Sequence, residues 1–298
     1  MQIYELPQPL FPRAASLFAE SWMDRAFIQG VFEDKTPGRI FVDDPERPTA
    51  ALMCRTFEYY VAGSPDATTL RRFMRDAPAA VYDDFYGYVA TNVPMARAIL
   101  ADYGERLRVI ARRGYTWAGD VAALDRWRGP SEDGVTVRQL DRALAERMDR
   151  ELGQMAGVFW SGYDRFLANG FGFCTMIGEE ITGVAYAAAV AGTRRDGCGE
   201  ANIDVMTAEP FRRRGHAARA CTAFIDHCRA HGLVATWDTD SDNQRSALLA
   251  RALGFREDHP FAQLSTPGYR PLDLAEGRWQ AAAPDGAGVV VWRSVEGD

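Results

Sequence analysis

Apolar residues at helical spacing (Leu17, Phe18, Trp22, Phe27, Val31) predict a helix over Ala14 to Phe32. Gly38 to Val42 and Thr49 to Tyr60 then read as two strands around the turn Asp43-Asp44-Pro45-Glu46, and two further helices are expected over Ala67 to Met74 and Met95 to Arg113. Turn formers and charge concentrate in Gly129-Pro130-Ser131-Glu132-Asp133-Gly134, which places a domain boundary there. Beyond it, Val135 to Leu140 alternates as a strand, and Asp141 opens a helix whose apolar positions are Leu144, Met148, Leu152 and Met155. A helix over Phe159 to Leu167 and a hairpin of Phe171 to Ile177 with Ile181 to Val190 follow. After these come a strand over Ala201 to Thr207, an amphipathic helix over His216 to Ala230 and a short strand from Leu233 to Trp237. The last helix, Arg245 to Leu253, ends at Gly254 and Phe255 in the manner of a Schellman stop, and Val289 to Val295 reads as a closing strand.

The fold class expected from this order is α/β (α+β) in two domains, residues 1–130 and 135–298, and 298 residues are enough for two cores. The longest weakly polar stretch, Ile181 to Gly192, falls short of the roughly 20 residues that a membrane helix needs. No apolar leader is evident and the five cysteines form no C-x-x-C pair, so a reducing cytoplasm is the expected compartment. A net charge of -7 argues against a general polyanion binder and biases the chain toward cationic substrates. Lys35 is the sole lysine, which leaves no P-loop elsewhere, and no G-x-S-x-G marks a serine hydrolase. His227 and His231 stand one helical turn apart without a third ligand motif, so no metal is expected.

The informative stretch joins a strand to an amphipathic helix through Arg212-Arg213-Arg214-Gly215-His216-Ala217. A loop without a bulky side chain at Gly215 bares backbone N–H groups at a helix N-terminus, and neighbouring arginines can pair with phosphate oxygens. This R-x-x-G-x-A spacing resembles motif A of the GNAT N-acetyltransferase superfamily. Downstream, Asn243-Gln-Arg-Ser246-Ala-Leu-Leu-Ala250-Arg-Ala-Leu-Gly254-Phe255 resembles its motif B, so the likeness covers about Val135 to Leu264. Asn169-Gly-Phe-Gly-Phe-Cys174 and Trp237-Asp238 are similar to a bacterial GNAT subfamily with an extra N-terminal domain. The hairpin from Gly38 and Ala62-Gly63 fit that subfamily's degenerate GNAT-like first half.

The resemblance implies a mostly antiparallel mixed sheet flanked by helices, and an acetyl-CoA-dependent N-acetyltransferase acting on a small-molecule primary amine by direct attack in a ternary complex. Acetyl-CoA would be held by Val205, Met206 and Thr207 along its pantetheine arm, by Arg212 to Ala217 at its diphosphate, and by Asn243. An amide N–H, most simply that of Met206, would face the thioester carbonyl. Glu200 and Asp204, on one face of their strand with Asn202, are the candidate bases. The tyrosine that many relatives carry seven residues after the motif B asparagine is replaced by Ala250, which leaves Ser246, Tyr186, His259 or Tyr269 as candidates to protonate the leaving thiolate. Trp160, Tyr163, Asp164 and Tyr186 would line an acceptor pocket suited to an ammonium group. The competing readings are a non-catalytic acyl-CoA-binding or regulatory module and, from Arg71, Arg72, Arg75, Arg106, Arg108, Arg112 and Arg113, a nucleic-acid binder, which the acidic balance disfavours. No membrane or nucleic-acid partner is expected, and the protein would be a monomer or homodimer.

Overall fold

The structure is a computed structural model that describes residues 2–19, 25–55, 58–63, 87–90, 108–129, 134–192, 198–265, 279–281 and 290–294. The chain forms two compact units, one of Met1–Met23, Pro37–Ala111 and Ala262–Asp298, the other of Asp24–Thr36 and Arg112–Phe261. The units are therefore assembled from separated segments. The division expected at 129–134 differs from this, because residues on both sides of it share one sheet.

In the first unit, β1 (Gln2–Leu6), β2 (Arg39–Val42), β3 (Ala50–Arg55) and β4 (Glu58–Gly63) pair antiparallel in sequence order, and β5 (Gly87–Ala90) joins β4 in parallel. The expected single strand from Thr49 to Tyr60 is thus two strands, β3 and β4. A 3-10 stretch, Gln8–Phe18 with Pro12 inside it, replaces the first part of the helix expected over Ala14 to Phe32, since proline cannot donate the backbone bond an α-helix needs there. The core is Ile3, Leu6, Phe11, Ile40, Phe41, Leu52, Met53 and Tyr60, all buried. Arg55 is fully buried and forms an ion pair with Glu58 at 3.1 Å, where Tyr60 also donates, so its charge is met inside the sheet.

The second unit begins with α1 (Arg25–Phe32) and resumes in β6 (Arg108–Trp117), whose residues from Arg112 belong to it. The helix expected up to Arg113 is contradicted at its end: Arg108 to Arg113 is strand, its β-branched and arginine-rich sequence being pulled into a ladder with a later strand. The expected helices over Ala67 to Met74 and from Met95 to Leu107 lie outside the described residues. Next come α2 (Ala122–Arg128), β7 (Thr136–Gln139), α3 (Arg142–Leu152), α4 (Ala156–Phe159), α5 (Tyr163–Asn169), β8 (Gly172–Ile177), β9 (Glu180–Ala191) and β10 (Gly199–Thr207). The chain continues with α6 (His216–Ala230), β11 (Leu233–Asp240), α7 (Gln244–Ala252) and β12 (Phe255–Ser265). The outer segments β13 (Trp279–Ala281) and β14 (Val290–Ser294) pair with each other, and β14 extends the first unit's sheet on β1.

Within the second unit β7, β8, β9 and β10 pair antiparallel in order, β11 joins β10 in parallel, and β6 pairs antiparallel with β11. Four antiparallel strands followed by a fifth parallel to the fourth is also the order of β1 to β5, so the two units repeat one topology. Local chemistry sets the elements: Asp141 caps α3 by accepting from the Leu144 amide at 2.8 Å, and Cys221, Phe224, Ile225 and Cys228 give α6 the buried face it lays on the sheet. The alanine-rich β9 is buried along nearly its whole length, and its small side chains let α1 and α6 pack closely against it.

Candidate active site

β10 and β11 pair from Gly199↔Leu233 to Asn202↔Thr236 and then separate, although β10 runs on to Thr207 and β11 to Asp240. Their outer edges stay in ladders, β10 with β9 as far as Thr207↔Gly183 and β11 with β6 as far as Asp240↔Arg112. The register of β9 with β10 slips between Asn202 and Ile203, leaving Ala188 as an extra residue beside the point of separation. The opening has a volume of about 230 Å3 and is lined by Arg112, Ile203, Asp204, Val205, Trp237, Asp238, Thr239, Asp240, Asn243 and Ser246.

Backbone groups of alternate residues face opposite edges of a strand. Gly199 donates to Gly232 and Ala201 accepts from Thr236, so odd-numbered residues of β10 face β11, whereas Ala208 donates to Thr182 beside β9. The Val205 amide therefore faces the opening, and that of Met206 faces β9. This corrects the expectation that Met206 presents its N–H to a thioester. The Val205 N–H instead donates to the Asp204 side chain, at 2.8 Å from Oδ1.

Asp204 also accepts the Tyr186 hydroxyl proton at 2.9 Å, from the residue directly opposite it on β9. Burial raises the Asp204 carboxyl above its ordinary value, with Asp238 adding to the rise, while the bonds from Tyr186 and the Val205 amide and the Arg112 charge pull it down. Tyr186 is fully buried; burial, then the Asp204 charge, holds its phenol well above 10, so it remains a donor. The nearby Met155 amide lowers it only in small part. Gly172 makes the room: a Cβ there would lie 2.6 Å from Tyr186 Cβ and 2.6 Å from Leu140 Cδ1.

The second wall is polar too. Arg112 on β6 forms ion pairs with Asp238 and, at 2.8 Å, with Asp240; Asn202 donates to Asp238 at 3.0 Å. The guanidinium also stands 5.8 Å over the Phe261 ring. On the other face of β11, Trp237 donates its indole N–H to Ser246 Oγ at 2.9 Å, and Asn243 caps α7 through the Ser246 amide at 3.2 Å. Ala250 is fully buried, so the place of the usual tyrosine is a core methyl, and the side-chain hydroxyls lining the opening are those of Ser246 and Thr239.

At the foot of α6, Gly215 has φ 83 and Arg213 φ 65. A Cβ on Gly215 would lie 2.5 Å from Trp127 Cζ3, so only glycine fits both the left-handed backbone and the indole above it. Among the described residues no side chain caps α6, which leaves its first amides available at the positive end of the helix, beside the exposed Arg212, Arg213 and Arg214. His216, expected in the loop, turns its ring inward: it is 1% exposed with Nδ1 2.8 Å from Thr182 Oγ1, so its side chain is no part of the loop's surface. Ala217 follows on the helix, its amide close to Gly183 on β9.

Several expected residues stand elsewhere. Glu200 is buried at the start of β10 between Ala191 and Val234 and does not line the opening. Four residues at about 3.3 Å each separate it from Asp204. Trp160, expected in an acceptor pocket, is a core residue: it is fully buried against Phe166 and its indole donates to the Ala187 carbonyl at 2.9 Å. Tyr163 donates to Asp149, which also accepts the Ala156 and Gly157 amides at the head of α4. Asp164 is exposed and paired with Arg142. Met206 and Thr207 are half-buried on β10 and do not line the opening. The His259 side chain and Tyr269 lie outside the described residues. Sequence reasoning missed Arg112, Asp238 and Asp240 as site residues; Arg112 and Arg113, set aside as a basic patch, are paired with carboxylates. Among the described residues no group of three His, Cys, Asp or Glu is placed to hold a metal, and no helix is long and apolar enough to cross a membrane.

The model of the GNAT acetyltransferase family matches residues 15–264. The chain belongs to that family. It covers both units, in keeping with the repeated strand order. The uncharacterized N-acetyltransferase YdfB of Bacillus subtilis (strain 168) is 21% identical over 264 residues, 85% of this chain and 95% of that protein. Among solved structures, a GCN5-related N-acetyltransferase-like protein from Streptococcus suis 89/1591 is similar at a TM-score of 0.69 and 22% identity, over 87% of this chain and 98% of that one. A tandem GNAT protein from the clavulanic acid biosynthesis pathway is similar at 0.54 and 14%, over 91% and 100%. These structures share the GNAT fold with the chain, and the GNAT family makes it an acyltransferase.

Proposed function

We propose that this GNAT protein transfers an acetyl group from acetyl-CoA to the primary amine of a small molecule, such as an amino sugar, an amino acid derivative or an amine antibiotic, by direct attack within a ternary complex. The observation that carries the reading is the meeting, in one unit, of a strand separation edged by an inward amide and a half-buried carboxylate with a helix headed by Gly215 and three arginines. The residues present suit acetyl-CoA: the amides at the head of α6 and the arginines would take its diphosphate, and the opening would take its arm. Acetyl-CoA supplies an activated thioester.

The chain's own groups do the rest. The Val205 N–H would hydrogen-bond the carbonyl oxygen as charge develops on it, displacing Asp204 Oδ1 from that amide. Loss of that bond removes one influence holding the Asp204 carboxyl down, which makes it a better base for the incoming ammonium. Tyr186 holds the other carboxylate oxygen, and Ser246 offers a hydroxyl to the departing thiolate. Asp204, Asp238 and Asp240 outnumber the single Arg112 and give the opening a negative lining suited to a cationic amine. Among the described residues no disulfide links the cysteines and four of the five are buried, which suits the reducing cytoplasm.

The test is release of CoA thiol by the protein with acetyl-CoA and a panel of amines, with the product identified by mass. The reading expects at least one amine to be acetylated well above the rate of hydrolysis. Saturable acetyl-CoA binding without turnover on any amine would favour a non-catalytic acyl-CoA-binding module, which the buried methyl at Ala250 supports.

A further inference from the structure

The sheet of the second unit is split, and its side chains show what keeps it split. Were the parallel register Asn202↔Thr236 to continue, the next pair on the same face would set Asp204 directly against Asp238. Like charges directly opposite each other oppose pairing. Each carboxylate is instead held on its own side of the gap: Asp204 by Tyr186 on β9, and Asp238 by Arg112 on β6. Arg112 is itself fixed by Asp240, its neighbour in the β6 ladder, at 2.8 Å. Asn202, the last β10 residue in the ladder, sends its amide across the fork to Asp238 at 3.0 Å, which sets how far β11 departs.

We propose that Asp238, held by Arg112 and Asn202, is a positioning residue that keeps β10 and β11 apart so that the arm of the acyl donor passes between them. The proposal rests on acetyl-CoA being that donor. It separates two parts of one ligand: the adenine-nucleotide end meets the head of α6, and only the arm needs the gap. Two probes therefore report on different features, acetyl-CoA itself and 3′-phosphoadenosine 5′-diphosphate, which lacks the arm.

The experiment is calorimetric titration of both probes into the full-length wild-type protein and into Asp238→Val, a branched residue that favours strand pairing. Asp238→Val is expected to weaken acetyl-CoA about tenfold or more while leaving the nucleotide within about twofold. Equal weakening of both probes, as a general loss of structure would give, overturns the proposal, and so does unchanged acetyl-CoA affinity. A wild-type protein that binds neither probe overturns the donor reading and the strut with it, whereas wild-type binding with an unaffected variant overturns the strut alone. Should the valine form not be recovered folded, Asp238→Asn is measured in the same way, since it keeps hydrogen-bonding groups for Arg112 and Asn202 but removes the charge. A loss of about threefold or more confined to acetyl-CoA supports the strut, and equal affinities overturn it.

Discussion

Replacing Gly215 by alanine tests the loop at the head of α6, because two independent costs meet at one atom. The residue sits at φ 83, where a Cβ costs roughly 1–2 kcal/mol. That Cβ would also lie 2.5 Å from Trp127 Cζ3, an overlap that costs roughly 1–3 kcal/mol when neighbours must shift. The sum is about 2–5 kcal/mol, or a fall in Tm of about 4–20 °C for a unit of this size. Gly153, at φ 63 with nothing within 4 Å of its Cβ, carries the first cost alone, and Gly153→Ala should lower Tm by only about 2–8 °C. Trp127→Leu removes the ring carbon, so in that background the penalty of Gly215→Ala should shrink toward that of Gly153→Ala. Acetyl-CoA affinity, measured by titration at a temperature where both variants are folded, should fall about tenfold or more for Gly215→Ala and stay unchanged for Gly153→Ala. A Gly215→Ala protein as stable as Gly153→Ala, with native affinity, would refute the reasoning.

Three further outcomes follow from the same geometry. Tyr186→Phe removes the hydroxyl that pulls the Asp204 carboxyl down, so the ascending limb of the kcat/KM profile should move to higher pH; an unmoved limb would separate Asp204 from the proton transfer. Asp204→Asn should cut kcat/KM about 100-fold or more. It should also raise Tm at neutral pH: the folded carboxyl titrates above its unfolded value of 3.8, so its contribution to stability is full below that value and is lost as pH rises through the raised one. A Tm gain that persisted undiminished toward acid pH would count against this. Among the thiols, burial raises Cys174 to about 11 and lifts Cys54, Cys221 and Cys228 further, so native protein should take up one equivalent of maleimide, at the exposed Cys198; labelling of more than one site would contradict the burial.

The loop at the head of α6 was legible because its parts lie in one run of chain. R-x-x-G-x-A, the apolar face of α6 and the Asn243 to Phe255 stretch need no distant partner to be recognised, and the helix over His216 to Ala230 is found as expected. Asp204 was legible through strand alternation. Arg112 was not, because it stands upstream of the turn-rich segment, in a stretch with helical spacing, and becomes strand only through its ladder with β11. The tail also took an unexpected place: Ala262–Asp298 was expected in the second domain, yet β14 pairs with β1. Trp160 failed for a different reason. An aromatic residue with one polar atom looks the same in a sequence whether that atom meets a ligand or, as here, a main-chain carbonyl. Which amide of β10 faces the opening also depends on register with β11, which no local pattern records.

The most direct test of the account is a crystal structure of the protein with acetyl-CoA. The account predicts the diphosphate on the amides at the head of α6, the arm between β10 and β11, and the thioester oxygen about 3 Å from the Val205 nitrogen with the Asp204 carboxylate displaced from it. A carbonyl directed to Met206, or a donor bound away from the strand separation, would contradict it.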